Sequence, residues 1–243
     1  MRALLLSDIH ANLEALDAVI DDANVRGGFD VVWCLGDTVG YGPDPGACIS
    51  RIRGYQLVAV AGNHDHAAVG KINYDNFNGA AKATTVWTAG QLTEGETDFL
   101  GGLPTVVLQE SLTLVHGSLR DPLVEYLLDQ GSAKATMALL QSRYCLVGHL
   151  HFPFLCRENG GSPVFDEFTE GATFHLEEER WIINPGCVGQ PRDRDPRSSY
   201  GIFDSEALTI ERHRVEYDIE GTQEKMRRAG LPEYLIDRLN RGV

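Results

Sequence analysis

The stretch Arg2-Ala3-Leu4-Leu5-Leu6-Ser7-Asp8-Ile9-His10 joins a short apolar run to two polar side chains. A bounded apolar run of this length predicts a buried β-strand. Side chains at positions i and i+2 of an extended segment point to the same face, so we expect Asp8 and His10 to converge. A carboxylate and an imidazole at one point suit a divalent transition metal. Alone, an Asp-x-His at a strand end is more often a turn aspartate and a surface histidine, so the interpretation depends on whether the arrangement recurs.

Four more apolar runs end in a polar residue that can bind a metal. They are residues 31–35 followed by Asp37, 57–60 followed by Asn63, 112–115 followed by His116, and 144–147 followed by His149 and His151. The carboxyl ends of strands are where open α/β sheets bind ligands. Each match could be a turn residue or a structural histidine, but five such matches in strand-end register indicate one shared site. Of the eight histidines, we expect only His175 and His213 to be purely structural or surface residues.

The first sixty residues follow a strand–helix–strand–helix–strand pattern. Asn12 can cap a helix that ends at Gly27-Gly28, and a second helix is predicted over residues 45–53. This alternation predicts parallel strands joined by helical crossovers. Residues 67–103 contain no convincing strand, and their helices either pack on the sheet as ordinary crossovers or wall a cleft at the strand ends.

The rest of the chain is predicted to mix short strands with helices. Helices are expected over residues 80–87, 93–100 and 119–141 (with a break near Gly131) and in the tail from residue 222, and strands over 105–108, 112–115, 144–147, 152–157, 172–176, 181–183, 199–203 and 208–214. The sequence contains no internal repeat, no low-complexity tract and no linker. We therefore expect an α/β fold with a single domain over residues 1–243.

Composition limits the classes of function. The 243 residues carry a formal net charge of −14, which argues against a general nucleic-acid or anionic-membrane surface. No leading apolar segment and no apolar run near about 20 residues is present, so neither export nor membrane insertion is indicated and a cytoplasmic location is expected. The five cysteines are scattered and lack a C-x-x-C pair, so we expect small, reduced core residues.

Taken in order, the strand-end motifs resemble the five signature motifs of the calcineurin-like metallophosphoesterases. The matching segments are Asp8-x-His10, Gly36-Asp37, Gly62-Asn63-His64-Asp65, His116 and Gly148-His149-x-His151. The resemblance implies a four-layer α/β/β/α sandwich with a mixed sheet and two metal ions at the sheet edge. It also implies a metal-dependent hydrolase that acts on phosphate esters.

The resemblance further implies a role for each motif residue. One metal would be held by Asp8, His10, Asp37 and His151, and the other by Asp37, Asn63, His116 and His149, with Asp37 bridging them. His64 would be the catalytic histidine, and Asp65 either orients it or is a plain turn aspartate. Mixed imidazole, carboxylate and amide ligands suit Mn, Fe, Zn, Ni or Co. Two dications, two carboxylates and a bridging hydroxide leave the centre near a charge of +1, which attracts phosphate.

The substrate class depends on a departure from one branch of this family. The serine/threonine phosphatase branch carries Gly-Asp-x-x-Asp-Arg-Gly, whereas residues 36–42 read Gly-Asp-Thr-Val-Gly-Tyr-Gly and lack the arginine. The chain looks more like the small bacterial and archaeal phosphodiesterase branch. We therefore expect it to hydrolyse phosphodiesters of small substrates, with phosphomonoesters or pyrophosphates as the alternatives.

Three further residues are candidate substrate contacts. Arg192 could grip a phosphate through its planar fork or belong to a solvated charged turn. Tyr41 follows the bridging aspartate and is either a pocket wall or a packing residue. Asn12 could touch substrate, although helix capping explains it equally simply.

Two other functions remain open at this level. A protein-binding scaffold of the same fold would be expected to have lost ligands or the catalytic histidine, and this chain retains all of them. A nuclease would be expected to present a basic patch with aromatic residues, and this acidic chain shows none.

Overall fold

The strands of the protein form two six-stranded mixed sheets. The computed structural model describes residues 1–109, 111–176 and 179–243. The strands within these residues are β1 (Arg2–Leu6), β2 (Val31–Cys34), β3 (Leu57–Ala59), β4 (Val106–Gln109), β5 (Leu112–Val115), β6 (Tyr144–Leu146), β7 (Phe154–Asn159), β8 (Ser162–Asp166), β9 (Thr173–His175), β10 (Trp181–Asn184), β11 (Ser198–Asp204) and β12 (Thr209–Val215).

Eight α-helices and a short 3₁₀ turn accompany the sheets in the described residues. They are α1 (Leu13–Val25), α2 (Pro45–Arg53), α3 (Asn63–Ala68), α4 (Gly79–Gln91), α5 (Glu94–Gly102), α6 (Gln130–Leu139), α7 (Ile219–Arg228), α8 (Glu233–Asp237) and the 3₁₀ turn Leu239–Arg241. None of these helices is both long and apolar enough to span a bilayer.

The parallel strands lie side by side in each sheet, and antiparallel strands extend it. The first sheet has the order β3-β2-β1-β11-β12-β9, in which β1, β2 and β3 are parallel. The second has the order β4-β5-β6-β10-β7-β8, in which β5, β6 and β10 are parallel. The predicted strand–helix alternation is confirmed, and both sheets are mixed.

Alternation along the strands produces four layers. In β1, Leu4 and Leu6 pack with the apolar face of α1, while Leu5 packs between the two sheets. On the outer face of the second sheet, Cys145 packs against Met137 of α6. The order of layers is therefore helix, sheet, sheet, helix, which confirms the predicted fold class. All five cysteines are buried and free, as expected.

One predicted helix is wrong over half its length. Residues 119–129 are not helical, and α6 begins only after Asp129, whose carboxylate caps it by accepting from the backbone N–H of Ser132 at 2.8 Å. The Ser118 hydroxyl accepts from the backbone N–H of Asp121 at 3.0 Å and forms a turn, and Pro122 has no N–H to continue a helix. Gly131 therefore lies in the first turn of α6 instead of breaking a longer helix.

The other differences concern short elements and boundaries. The sequence pattern predicted neither α3, which begins at the candidate ligand Asn63, nor β8, which follows a Gly160-Gly161 turn with both glycines at positive φ. The predicted start of α5 is confirmed, because Thr93 and Glu96 form a reciprocal capping box. The remaining predicted strands and helices are present, with ends that differ by a few residues.

Candidate metal centre

The seven predicted metal ligands meet at one place, where strand ends of both sheets face each other. Three motifs follow β1, β2 and β3 of the first sheet, and two follow β5 and β6 of the second. All seven side chains are at most 6% exposed: Asp8, His10, Asp37, Asn63, His116, His149 and His151. The sheet-on-sheet packing therefore brings distant motifs into a single buried cluster.

The convergence of Asp8 and His10 has a different cause from the one predicted. Both residues lie beyond the end of β1 and have left-handed backbone angles, with φ of 54° and 50°. Asp37, His149 and His151 share this conformation, with φ of 53°, 65° and 58°. Left-handed conformations are uncommon for residues other than glycine and are concentrated at functional sites. Tight turns past the strand ends, not the strand pleat, aim these side chains inward.

The first group of ligand atoms consists of Asp8, His10 and His151. Asp8 Oδ1 lies 3.2 Å from His151 Nε2 and 3.8 Å from His10 Nε2, and the two imidazole Nε2 atoms are 3.1 Å apart. The other carboxylate oxygen, Oδ2, accepts from the Ser7 hydroxyl at 2.6 Å and from the backbone N–H of His149 at 3.1 Å. Asp8 Oδ1 is buried and has no hydrogen-bond partner among the described residues, so it is free to bind a cation.

The second group consists of Asp37, Asn63, His116 and His149. His116 Nε2 lies 3.3 Å from Asp37 Oδ2, 3.1 Å from Asn63 Oδ1 and 3.1 Å from His149 Nδ1. Asp37 Oδ2 is also 3.7 Å from His10 Nε2 of the first group. Asp37 therefore lies between the groups, as a bridging ligand must.

The outward nitrogen of each of the four histidines faces a backbone carbonyl. His10 Nδ1 contacts Val39 O at 3.2 Å, His116 Nδ1 contacts Leu35 O at 2.8 Å, His151 Nδ1 contacts Gln190 O at 2.7 Å, and His149 Nε2 contacts Val124 O at 3.2 Å. A carbonyl only accepts, so these contacts place the proton on the outward nitrogen of a neutral imidazole. The inward nitrogens are then lone-pair donors.

These lone pairs show that the cluster fits cations. Two pairs of inward nitrogens face each other at 3.1 Å, and lone pairs at this distance repel unless a positive charge lies between them. In the metal-free chain a proton supplies part of that charge: although burial opposes it, the Asp37 carboxylate raises the pKa of His116 to about 9. Burial raises the pKa of Asp8 to about 6, because the charged carboxylate loses its hydration in the buried cluster.

Two glycines allow the motifs to approach this closely. A Cβ atom on Gly62 would lie 2.0 Å from Asp37 Oδ1, and one on Gly148 would lie 2.1 Å from Ser7 Oγ. Both distances are far shorter than a van der Waals contact, so no side chain fits at either position. The glycines of the Gly-Asn-His and Gly-His motifs are therefore a packing requirement of the cluster.

His64 lies beside the second group without belonging to it. Its backbone N–H donates to Asp37 Oδ1 at 2.8 Å, and its ring packs on Tyr41 and Phe77 with centroids 4.4 and 5.1 Å apart. Nδ1 is buried and has no partner among the described residues, which leaves Nε2 as the nitrogen that a substrate can reach. Burial lowers the pKa of His64 to about 4 in the metal-free chain.

Asp65 has a different position from the one that an orienting aspartate would take. Its two carboxylate oxygens accept from the backbone N–H groups of Gly62 at 2.9 Å and Val39 at 3.1 Å. This arrangement supports the turn interpretation, and no hydrogen bond to the His64 imidazole is found in the described parts of the chain. Asp65 holds the backbone of Val39, and Val39 O accepts from His10 Nδ1. Asp65 therefore supports the position of the His10 imidazole indirectly.

A cleft of about 640 Å³ opens over the second group. Its walls include His64, Tyr41, Phe77 and Tyr126, and several amides including Asn73 and Asn76. Residues 72–81 form one wall, which supports the interpretation of the 67–103 region as a cleft wall. α4 and α5 of the same region also pack against α3.

The candidate substrate contacts differ in what the structure supports. The Asn12 side chain caps α1 by accepting from Ala15 N and donates to Gly189 O, so the capping interpretation is favoured. Tyr41 both lines the cleft and packs on His10 at 4.6 Å between ring centroids. The guanidinium of Arg192 lies 5.8 Å from the Tyr41 ring centroid, whereas Arg197 forms ion pairs with Asp195 and Glu170.

Sequence reasoning missed some residues that touch the ligands. The Tyr126 ring stacks on His149 at 3.9 Å and 8° between planes, and Cys187 Sγ lies 3.3 Å from His151 Nδ1. Tyr126 lay in a segment predicted to be helical, and Cys187 lay in the 184–191 loop, for which no role was predicted. The proline and glycine content of that loop was the sequence feature that could have indicated a tight turn beside the ligands.

Comparison with known proteins decides the family. The model of the calcineurin-like phosphoesterase superfamily domain matches residues 1–207. The chain belongs to the calcineurin-like phosphoesterase superfamily. A solved metallophosphoesterase from Sphaerobacter thermophilus has the same fold, with a TM-score of 0.90 and 43% identity over 100% of this chain and 99% of that one.

Two further relatives of this phosphoesterase extend the comparison. An uncharacterized protein of Methanocaldococcus jannaschii is 37% identical over 240 residues, which cover 97% of this chain and 96% of that protein. A solved hypothetical protein from Pyrococcus horikoshii has a TM-score of 0.81 at 21% identity, covering 100% of this chain and 98% of that one, and shows the shared fold. Members of the superfamily generally bind two divalent metals, and this chain has two His/Asp groups that could hold them.

Removing metal from this phosphoesterase is expected to lower its melting temperature substantially. Without cations the facing lone pairs and the two buried carboxylates repel one another. A ligand present at 1,000 times its Kd stabilises by about 4 kcal/mol, which corresponds to roughly 8–16 °C in a chain of this length. Differential scanning calorimetry before and after EDTA treatment, with Mn²⁺ re-addition as the control, measures the shift. An unchanged melting temperature would contradict cation binding in the cluster.

Proposed function

We propose that this protein is a metal-dependent phosphoesterase that hydrolyses phosphodiester bonds of small substrates at a dinuclear centre. Asp8, His10, Asp37 and His151 would hold one ion, and Asp37, Asn63, His116 and His149 the other. When bound, two divalent ions lower the pKa of a coordinated water and neutralise charge on the phosphoryl oxygens. The metals proposed are Mn, Fe, Zn, Ni or Co, because the ligands combine imidazole, carboxylate and amide groups.

The observation that carries the proposal is the pairing of inward lone pairs. Four imidazoles held by carbonyls direct their inward nitrogens at two carboxylates in a buried site, and without metal only a proton on His116 lies among them. A scaffold protein would gain nothing from this arrangement, because buried carboxylates and facing lone pairs are destabilising without cations. A metal-dependent hydrolase requires it.

The protein's own groups then position the substrate and assist departure of the leaving group. His64 lies at the cleft with Nε2 accessible, its backbone held by Asp37 and its ring held between Tyr41 and Phe77. From this position Nε2–H can donate a hydrogen bond to the oxygen of the departing alcohol. Transfer of the proton, which is the role of a general acid, requires the negative charge of the bound phosphate to raise the pKa of His64 from the value of about 4 that burial gives it. Arg192 lies near Tyr41 but, in the described parts of the chain, lines a neighbouring cavity and not the cleft, so no phosphate contact is assigned to it.

The lining of the cleft favours a singly charged phosphate. Among the described residues, the lining contains aromatic, aliphatic and amide side chains, the imidazoles of His64 and His149 and one carboxylate, Asp121, but neither lysine nor arginine. A phosphomonoester dianion would therefore find no cation in the cleft beyond the metal ions. A diester carries one charge per phosphate and needs no further partner.

Small phosphodiesters are therefore expected to be better substrates than matched monoesters. With Mn²⁺ at moderate ionic strength, we expect a higher kcat/KM for bis-p-nitrophenyl phosphate than for p-nitrophenyl phosphate. Duplex DNA should be a poor substrate, because a protein with a net charge of −14 repels long polyanions. The measurement is a steady-state panel that also includes cyclic nucleotides and dinucleoside polyphosphates.

Efficient monoester hydrolysis with little diesterase activity would contradict this preference. Arg192→Gln then identifies the cause, because a grip from Arg192 would make the variant lose more activity on the dianionic monoester than on the diester. Arg194→Gln is the matched control, since Arg194 is exposed in the same loop.

A further inference from the structure

His149 differs from the other three ligand histidines in the orientation of its ring. Its inward nitrogen is Nδ1, which lies 3.1 Å from His116 Nε2, and its outward nitrogen is Nε2. The other three direct Nε2 into the cluster and Nδ1 at a backbone carbonyl. Nε2 is the ring nitrogen farther from a histidine's own backbone, so the group that holds His149 has to approach from outside the cluster.

This group belongs to a surface segment, residues 118–127, which lies between β5 and α6. Val124 O of the segment contacts His149 Nε2 at 3.2 Å, and Val124 is 48% exposed. The three residues whose carbonyls hold the other ligand histidines are all buried, namely Leu35, Val39 and Gln190. His149 is therefore supported from the surface of the protein, and the other three histidines are supported from its interior.

The same segment also places an aromatic ring on His149. The Tyr126 ring stacks on the imidazole with centroids 3.9 Å apart and planes at 8°, the closest and most nearly parallel ring pair among the described residues. A single hydrogen bond fixes where Nε2 points but restrains the tilt of the ring plane only weakly. A second ring stacked on the face of the imidazole restrains that tilt. The two contacts together fix the direction of the Nδ1 lone pair.

The segment is anchored at both ends, so it can hold a ring in a fixed position. The buried Ser118 hydroxyl accepts from the backbone N–H groups of Arg120 at 3.1 Å and Asp121 at 3.0 Å, and it donates to the Glu125 carboxylate. At the other end, Leu127 is buried in the core beneath α6. The exposed residues that contact His149 lie between these two anchors.

We propose that Tyr126 is a positioning residue of the second ligand group, which holds the His149 imidazole in the orientation that a metal ion requires. This inference rests on the proposed dinuclear centre, but not on the proposed reaction or its substrate. Loss of an outer partner of a ligating histidine typically weakens metal binding by about 10- to 100-fold. Because Tyr126 contacts the second group, its loss should weaken one of the two ions and spare the other.

The test measures Mn²⁺ binding to the full-length chain by isothermal titration calorimetry after EDTA treatment and dialysis, without substrate. The wild type is expected to bind two ions. Tyr126→Ala is expected to weaken one binding event by about 10- to 100-fold and to leave the other within about threefold. Tyr126→Phe keeps the stacked ring and should bind both ions like the wild type.

A double-mutant cycle shows whether Tyr126 acts through His149. His149→Ala should weaken the same binding event, and adding Tyr126→Ala to it should cause no further loss. Two residues that act through one contact are non-additive in this way, whereas a general loosening of the fold would add to the effect. Leu128→Ala is the matched control, because Leu128 is an exposed apolar residue next to the segment that lines the neighbouring cavity of about 710 Å³.

Activity separates positioning of the ligand from a contact with substrate, since Tyr126 also lines the cleft. If Tyr126 acts through the metal, the kcat that Tyr126→Ala loses at limiting Mn²⁺ should return at saturating Mn²⁺. A raised KM that persists at saturating Mn²⁺, together with unchanged Mn²⁺ binding, would overturn the proposal and make Tyr126 a substrate contact.

The binding data alone can also overturn the proposal. Equal weakening of both ions in Tyr126→Ala, a Tyr126→Phe variant as weak as Tyr126→Ala, a full further loss in the double variant, or a wild type that binds fewer than two ions would each do so. The expected pattern of Mn²⁺ binding without any hydrolysis of phosphodiesters would instead reject the proposed reaction and retain Tyr126 as a positioning residue.

Discussion

The variant Asp37→Asn is expected to lose most of its bound metal and at least on the order of 10³-fold in kcat. Asp37 Oδ2 lies 3.3 Å from His116 Nε2 and 3.7 Å from His10 Nε2, so the carboxylate contacts both ligand groups. An asparagine removes the charge that the two ions share. The amide nitrogen of the new asparagine would also replace one of the two carboxylate oxygens. It would face either the backbone N–H of His64 or the position of the metal ions, and it can pair with neither. Elemental analysis of protein purified in parallel, together with diester hydrolysis under Mn²⁺, measures both effects.

Asp17→Asn is the control for this variant. Asp17 forms an ion pair with Arg51 at the surface, and within the described residues it forms no hydrogen bond or ion pair with a cluster residue, so its replacement should leave metal content and kcat unchanged. Exposed pairs of this kind contribute at most about 1 kcal/mol to stability. Two full equivalents of metal in Asp37→Asn would refute the assignment of Asp37 as a shared ligand.

The variant His64→Ala is expected to keep its metal and to lose roughly 10²- to 10⁴-fold in kcat, the usual range for a general acid. The imidazole borders the cleft, while the seven ligand side chains are supplied by other residues. The substitution removes only the side chain, so the backbone N–H of residue 64 can still donate its hydrogen bond to Asp37 Oδ1. Elemental analysis and kcat for a series of aryl phosphodiesters test the two parts separately.

The dependence on leaving group distinguishes a general acid from a residue that merely shapes the cleft. An alcohol with a low pKa needs little protonation as it departs, so the loss should be smallest for nitrophenyl esters and largest for alkyl esters. His66→Ala is the matched control, because His66 is buried in the same helix but does not line the cleft. If metal leaves His64→Ala, then His64 is a ligand and the roles must be redrawn.

The sequence located the candidate ligands that the structure brings together because each motif is local. An apolar run predicts a buried strand, and the residues immediately after it must lie at the strand end. Asp8, Asp37, Asn63, His116 and His149 could therefore be located from five short segments without any knowledge of their contacts. The same locality predicted the capping box at Thr93 and the crossover helices of the first sheet.

Local signals misled where tertiary contacts decide the conformation. Residues 119–129 have helix-compatible composition, but the Ser118 turn and Pro122 keep them irregular, and this places Tyr126 against His149. The left-handed turn of Asp8 is also invisible in the sequence. Such a conformation costs free energy that the surrounding hydrogen bonds must offset, among them those from Ser7 and His149 N.

The sequence by itself identified the candidate metal ligands and the order along the chain of the strands that precede them. Only the tertiary structure decided that the ligands come from two facing sheets, that Asp37 lies between the groups, and that the Arg192 guanidinium lies 5.8 Å from the Tyr41 ring. The physical reason is that apolar periodicity and glycine-containing motifs act over a few residues. The distance from Asp8 to His151, or from Arg192 to Tyr41, depends on how two sheets pack through a shared core.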